Sequence, residues 1–341
     1  MKKRLRVIVL MHSDFLPPAS IEGLSEKETA PFQTEYDVVS TLRKMGHDVH
    51  PLGVSDDFIV IRQAIIESRP DVVFNLLEEF RGLGEYVPFV LGYLELMRQP
   101  YTGCNPYGLL IARNKALTKN ILRYHRVRMP DFHVFPRGQS IKPPRRFHLP
   151  AIVKSTTEQG SVGISQASVV ASADKLVERV QFVHDQLQTD AIVEEYIDGR
   201  ELYVGVLGHR RLLALPVWEM LFQDLPDGAP RIATERVKWN ADYQKQAGIV
   251  TQAAAELPDG VERRIVNTVK RVYRLLGLSG YARMDLRLRA DGQLFLLEAN
   301  PNPQLSAGED FAESANAVGL EYPDLIARIL HLASRYNSRP P

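Results

Sequence analysis

The sequence predicts an α/β unit followed by two α+β units. Strand and helix signals alternate through the first hundred residues, the rhythm of a parallel sheet. From Ala151 the order changes to strand, Gly-containing loop, strand, helix, strand. Residues 281–300, YARMDLRLRADGQLFLLEAN, then alternate apolar and polar side chains around Asp291-Gly292, as a β-hairpin does. At 341 residues the chain exceeds one average domain, so compact units sharing a cleft are expected, divided as 1–105, 106–196 and 197–341.

In the first unit strands are expected at 5–11, 49–54 and 71–77, and helices at 35–45 and 58–68. The basic flank and apolar run at the start superficially resemble a secretory leader. Val7 to Met11 is shorter than the roughly 7–15 apolar residues that a leader core needs, so the run reads as a buried strand. The apolar stretch 86–97 precedes Pro100-Tyr101-Thr102-Gly103, where Pro and Gly close the unit. A helix at 114–125 puts Ala116, Leu117, Ile121 and Leu122 on one side and Lys115 and Lys119 on another, and Pro130 stops it. A strand at 132–135 and a basic, proline-containing loop to Pro150 follow.

The second unit carries strands at 151–154, 168–170 and 191–196 and a helix at 175–187. The third has strands at 202–207 and 212–217, then a long polar segment to Pro258 without a predicted element. A helix at 261–276, closed by Gly277, leads to the hairpin, and a last helix covers 323–334.

Lys and Arg number 42 against 41 for Asp and Glu, so no global field draws the chain to nucleic acid or an anionic membrane. That balance favours small-molecule chemistry. The single cysteine, Cys104, excludes an intramolecular disulfide and a Cys-rich zinc site, and fits a reducing, cytoplasmic setting.

The hairpin carries the most chemical information. A two-residue Asp291-Gly292 loop pairs Ala290 with Gln293, which sets Asp285 opposite Glu298 and Arg283 opposite Asn300 on one face. Ala282, Met284, Leu286 and Leu288, with Phe295, Leu297 and Ala299, form the packed face. Opposed residues have Cβ atoms roughly 4.5–5.5 Å apart, and two carboxylates there repel unless a cation or proton intervenes. Asp, Glu and Asn oxygens without His or Cys are the donors magnesium takes, along with waters and substrate phosphates. Asp285, Glu298 and Asn300 are therefore candidate metal ligands, and Arg283 a candidate to neutralise developing charge. Alone, such a hairpin also reads as an exposed ribbon with ordinary surface ion pairs.

Two further segments bear on that choice. Lys154 ends an apolar strand and precedes a Ser/Thr/Gly loop, STTEQGSVG, whose backbone N–H groups could fold over phosphates; no Gly-Lys-Ser/Thr follows, so it is not a Walker A loop. In AIVEEYIDGRE (191–201) a strand runs into two acids and an Asp-Gly turn, where carboxylates could meet an exocyclic amine or ribose hydroxyls, or simply be solvated.

Taken with PDVVFNLL, ELMRQPYTG, the Asn114-Lys115 helix, AIVKSTTEQGSVGIS, GYARMDLRL and LFLLEANPNP, these segments in this order resemble the ATP-grasp superfamily, specifically its D-alanine:D-alanine ligase-like branch. The likeness spans residues 71–334. It implies an ATP-grasp fold of three domains: an N-terminal parallel α/β domain, then central and C-terminal α+β domains with ATP between those two. It further implies that Lys115 and Lys154 contact ATP phosphates and that Gly160, Ser161 and the residues to Gly163 close over them. Glu194, Glu195 and the Ile197 backbone would meet adenine and Glu201 the ribose. Lys238-Trp239 stands where the family carries Lys-Tyr over the active site, which makes Lys238 a candidate for the γ-phosphate. Asp285, Glu298 and Asn300 match the Mg2+ ligands, with Mn2+ as a substitute, and Arg283 the arginine that steadies the intermediate. The implied activity joins a small-molecule carboxylate to an amine through an acyl phosphate, and the family suggests a homodimer.

The chain departs from the family at the substrate sites. His12-Ser13-Asp14-Phe15 replaces a Gly-Gly-x-Ser-x-Glu segment, and Glu78 stands where His-Gly would follow Phe74-Asn75. Gln159-Gly160-Ser161 replaces Gly-Ser-Ser, and Gln304-Leu305-Ser306-Ala307-Gly308-Glu309 replaces a Gly-Met-Thr-x-x-Ser run that holds a carboxylate. Glu78 and Glu309 thus become candidate substrate residues. Glu309 and Asp310 predict an acceptor that is cationic or lacks a nearby carboxylate. The alternatives are a D-alanine:D-alanine ligase proper, a ligase with a thiol or hydroxy-acid nucleophile, and a catalytically silent nucleotide-binding regulator.

Overall fold

A computed structural model describes residues 4–144, 147–158, 160–226 and 228–335; Gln159, expected in the phosphate loop, lies outside them. The first unit contains β1 (Arg6–His12), α1 (Glu26–Thr29), α2 (Gln33–Lys44), β2 (Asp48–Val54), α3 (Phe58–Ser68), β3 (Val72–Asn75) and α4 (Val87–Leu96). Its strands form a parallel sheet in the order β2-β1-β3. Val7 to Met11 is buried without a break because both faces of the sheet are covered. Ile8 and Leu10 pack with Ile61, Ile65 and Leu91 of α3 and α4, whereas Val7, Val9 and Met11 pack with Val38 and Leu42 of α2.

Next come α5 (Pro106–Arg113), α6 (Lys115–Tyr124), β4 (Phe132–Phe135), β5 (Ala151–Ser155), β6 (Val169–Val170), α7 (Ala173–Phe182) and β7 (Ala191–Glu195). The strands make an antiparallel sheet in the order β4-β7-β5-β6. The helix expected to Leu187 keeps α geometry only to Phe182 and continues as a π turn, Val183–Leu187. Helix α5 was not anticipated. Asn105 caps it, accepting from the Gly108 N–H, and also bonds Gly277 and Ser279, which ties the end of the first unit to the start of the hairpin. Gly280 (φ +69°) makes that junction possible, since a Cβ there would run into the Gly103 carbonyl.

The remainder comprises β8 (Arg200–Gly208), β9 (Leu212–Ala214), β10 (Trp218–Phe222), α8 (Glu235–Trp239), α9 (Ala241–Gln246), β11 (Ile249–Ala253), α10 (Val261–Leu275), β12 (Tyr281–Leu288), β13 (Leu294–Asn300), α11 (Asp310–Asn316) and α12 (Tyr322–Ala333). Its antiparallel sheet runs β11-β10-β8-β12-β13, with β9 beside β8. The polar stretch before Pro258, expected to lack elements, holds two strands and two short helices. The pattern concealed β11 because this edge strand leaves Val250, Thr251, Gln252 and Ala253 exposed, so no buried alternation is written into it. Helix α10 turns Val261, Ile265, Val269 and Val272 inward at helical spacing. Helix α12 returns to the first unit: Leu325, Ile326, Ile329 and Leu330 share a core with Val7, Val9 and Met11.

One acid in this framework is out of place. Glu35, on α2, is 7% exposed, and burial raises its carboxyl to about 7; a bond to its own backbone N–H opposes the rise and Glu78 adds to it. Below the unfolded value near 4.5 both states are protonated. Between there and about 7 the folded chain holds the extra proton, so stability falls as pH rises through that window. Glu35→Gln should therefore gain thermal stability over the parent between pH 5 and 8, on the order of 2 kcal/mol at the upper end. Parallel melting-temperature profiles across that range would show that Glu35 titrates normally.

Candidate active site

The hairpin brings Asp285 opposite Glu298 and Arg283 opposite Asn300, as expected, but by another route. The loop has three residues, not two. The Arg289 N–H donates to the Gln293 carbonyl and the Gly292 N–H to the Arg289 carbonyl, with Gly292 at φ +77°. Ala290 therefore does not pair with Gln293. A β-bulge at Leu297 then restores the count: Leu286 faces Leu296, whereas Asp285 faces Glu298. Between the loop and the bulge the three-residue turn reverses the assignment of faces. Leu294 and Leu296 pack with Met284, Leu286 and Leu288, and Phe295 is paired with Arg287, so Phe295 and Leu297 are not the packed set.

Asp285 is 5% exposed and receives two parallel bonds from Arg283, Nε to Oδ1 at 2.8 Å and Nη2 to Oδ2 at 2.9 Å. The Arg283 guanidinium lies 4.5 Å from the Tyr203 ring centroid, and its Nη1 is 3.8 Å from Asp310. Burial raises the Asp285 carboxyl against the pull of Arg283, and Glu298 across the strands raises it further. Glu298 is held down to about 2: burial pushes it up, but Lys115, Lys238, Lys154 and Arg283 outweigh that. An ionised carboxylate ringed by cations, facing a second acid and one pair from Asn300, is an oxygen donor set suited to magnesium. The Asn300 Oδ1 accepts the Asn302 N–H at 2.9 Å, which sets the orientation of its amide.

Behind the pair stands a group of buried lysines. Lys115 Nζ is 3.9 Å from Glu298 and donates to the Glu158 carbonyl at 2.5 Å. Lys154 is 3.2 Å from one oxygen of Glu194, and Lys119 is 3.3 Å from the other. Glu194 is 1% exposed, and these lysines hold its carboxyl low against the raising effect of burial. Glu201 accepts from Tyr203 Oη at 2.8 Å and from Arg287 at 2.5 Å. Glu195 is half-buried and Ile197 buried, and neither lines the cleft described next.

A cleft of about 850 Å³ opens in front of the hairpin. Of the expected residues, Gly160, Lys238, Arg283, Asn300, Glu78 and Glu309 line it. The glycine loop and the Lys238 segment meet across it. Trp239 Nε1–H donates to the Gly160 carbonyl at 2.9 Å, Ser161 Oγ to the Ala233 carbonyl at 2.7 Å, and the Gly163 N–H to Glu235 at 2.8 Å. The lining of this cleft also holds the acids Asp14, Glu78, Glu79, Glu85, Glu309 and Asp310, with His12, Arg113 and Arg283 among them. Ser306 turns away from it, 2% exposed and bonded to Thr34 Oγ1 at 2.6 Å. Sequence reasoning missed Tyr203, Arg287 and the contribution of Lys119. Only the last had a signal, since Lys119 follows Lys115 at one helical turn.

Residues 116–331 match the family described as D-ala D-ala ligase C-terminus. An uncharacterized protein of Sinorhizobium fredii, y4sG, is 30% identical over 307 residues, 87% of this chain and 86% of its own. A D-alanine–D-alanine ligase of Bordetella petrii is 32% identical over 248 residues, 71% of each chain. The crystal structure of a D-alanine–D-alanine ligase from Bacillus anthracis complexed with ATP shares the fold, with a TM-score of 0.73 and 21% identity over 97% of this chain and 98% of that one.

Trp239 adds its bond to those that Ser161 and Gly163 make with Ala233 and Glu235 and that the Glu235 N–H makes with the Ile164 carbonyl. Trp239→Ala should leave the melting temperature within a few degrees of the parent while speeding amide exchange at residues 160–164 by about tenfold or more. Unchanged exchange there would show that the loop is held without the indole.

Proposed function

The chain belongs to the D-alanine–D-alanine ligase family of ATP-grasp proteins, and from that membership we propose which of its residues do the work and which acceptor it takes. It is an ATP-dependent ligase that forms a carbon–nitrogen bond through an acyl phosphate, releasing ADP and phosphate. The observation that carries the residue assignment is the opposed pair Asp285 and Glu298, the first raised by burial and the second held down by surrounding cations, on strands whose Arg283 and Asn300 line a cleft that two loops close.

Lys115, Lys154 and Lys238 neutralise the ATP phosphates as point charges, and the Gly160–Gly163 backbone covers them. The 194–197 segment and Glu201 flank the adenosine. Magnesium or manganese, held by Asp285, Glu298 and Asn300, would supply Lewis-acid stabilisation of phosphate oxygens when bound. Arg283, fixed by Asp285 on one edge and Tyr203 on its face, keeps Nη1 toward the cleft, where it can steady first the transferring phosphoryl group and then the tetrahedral oxyanion. The Trp239–Gly160 contact keeps water from the acyl phosphate.

The acceptor reading rests on the acids of that lining, Glu309 and Asp310 above all. Ser306 is spent on Thr34, and what faces the cleft beside it is Gln304, Gly308, Glu309 and Asp310. A carboxylate seated there would meet several acids, a cost of several kcal/mol in order of magnitude. An acceptor amine that is cationic, or that lacks a nearby carboxylate, suits those acids better than D-alanine does. Cytoplasmic operation and, by analogy, a homodimer belong to the same reading. Among the described residues no helix is long and apolar enough to cross a membrane.

Asp285→Asn or Glu298→Gln should keep the circular dichroism of the parent and lose at least about a hundredfold in acceptor-dependent phosphate release. Near-parental turnover in either variant would remove the metal assignment, and ADP formation that no acceptor stimulates would favour a regulator. Screening amino acids and diamines in pairs for phosphate release should select dicationic amines, and Glu309→Ser should shift preference toward neutral or carboxylate-bearing acceptors. An acceptor profile unaltered by Glu309→Ser would sink the cationic-acceptor reading.

A further inference from the structure

Lys119 is 2% exposed, and its ammonium group lies where the nucleotide and metal halves of the site touch. It is 3.3 Å from Glu194 Oε1 on β7 and donates to the Leu297 carbonyl on β13 at 3.3 Å. The Phe132 ring sits 5.9 Å away on a third strand. Leu297 is the extra residue of the bulge, the position that sets Glu298 opposite Asp285. A bulge is a one-residue irregularity, and losing it would turn Glu298 to the opposite face of the hairpin. Glu194, in turn, shares its second oxygen with Lys154. Lacking Lys119, the buried Glu194 carboxylate would have Lys154 as its remaining close cation and would draw that charge away from the phosphates.

We propose that Lys119 is a positioning residue that couples the two halves of the site, pinning the bulge that aims Glu298 while sparing Lys154 for the nucleotide; this rests on the ATP and metal reading above. A buried ammonium is costly to keep, and burial lowers the proton affinity of Lys119 even with Glu194 beside it. An apolar side chain would pack this spot at lower cost, so the geometry points to a job that only a cation reaching both partners can perform. The Lys115–Lys119 spacing of one helical turn is what lets α6 deliver one lysine to Glu298 and the other to the bulge beside it.

The test is calorimetric binding of ADP to the full chain over a magnesium titration, comparing the parent with Lys119→Met. The expected result is a rise of about ten- to a hundredfold in the magnesium concentration for half-maximal ADP binding, with a weaker ADP dissociation constant at saturating magnesium. A merely structural lysine would lower the melting temperature and leave the magnesium dependence in place. Should Lys119→Met fail to fold, Lys119→Met with Glu194→Gln removes both buried charges, and the magnesium shift is expected there as well. A folded variant with parental magnesium dependence overturns the proposal. A parent chain that does not bind ADP with magnesium overturns the nucleotide reading and this inference with it.

Discussion

Two carboxylates face each other across neighbouring strands in a place where water cannot keep them apart. Asp285 and Glu298 are a repulsive pair in a low-dielectric setting, and the surrounding architecture answers that repulsion. Arg283 takes one acid in a two-point clasp, Lys115 stands by the other, and Lys154 and Lys238 bias the field from further off. The cations come from α6, the end of β5, α8 and the hairpin itself, segments far apart in the chain. A site of this kind exists only after the two antiparallel sheets have come together, and its charges balance only as a set.

Charges of both signs face the cleft: Lys238, Arg283 and Arg113 line it together with Glu78, Glu309 and Asp310. Arg283 is held by two acids, Asp285 and Asp310, so the protein itself orients its guanidinium. Pre-orientation spares the ordering cost that a free arginine would incur on binding.

Local pattern was enough to read much of this from the sequence. The parallel strands of the first unit, helices α3 and α10, and the strand leading to Lys154 all carry periodicities that burial then honoured. The hairpin is instructive because the right pairing came from a wrong loop. A two-residue turn and a three-residue turn differ by one position, and the bulge at Leu297 returns that position, so the Asp285–Glu298 register agrees while the faces of Phe295 and Leu297 do not. A bulge has no dependable local signature here, and the bond that its Leu297 carbonyl accepts comes from Lys119, 178 residues away in the chain. The clasp of Arg287 on Glu201 was out of reach for the same reason: its partners are 86 residues apart, and nothing in either segment names the other. Edge strand β11 was missed because an exposed strand writes no alternation into its residues.

Helix α12 has a consequence for how the molecule is made. Its apolar side completes the layer that covers Val7, Val9 and Met11 of β1. Before α12 is made, that flank of the sheet is covered by α2 without its second layer, and Val7, Val9 and Met11 keep part of their apolar surface in water. Cover for β1 is complete only when Tyr322–Ala333 is in place, so a chain interrupted before Tyr322 would leave that surface open.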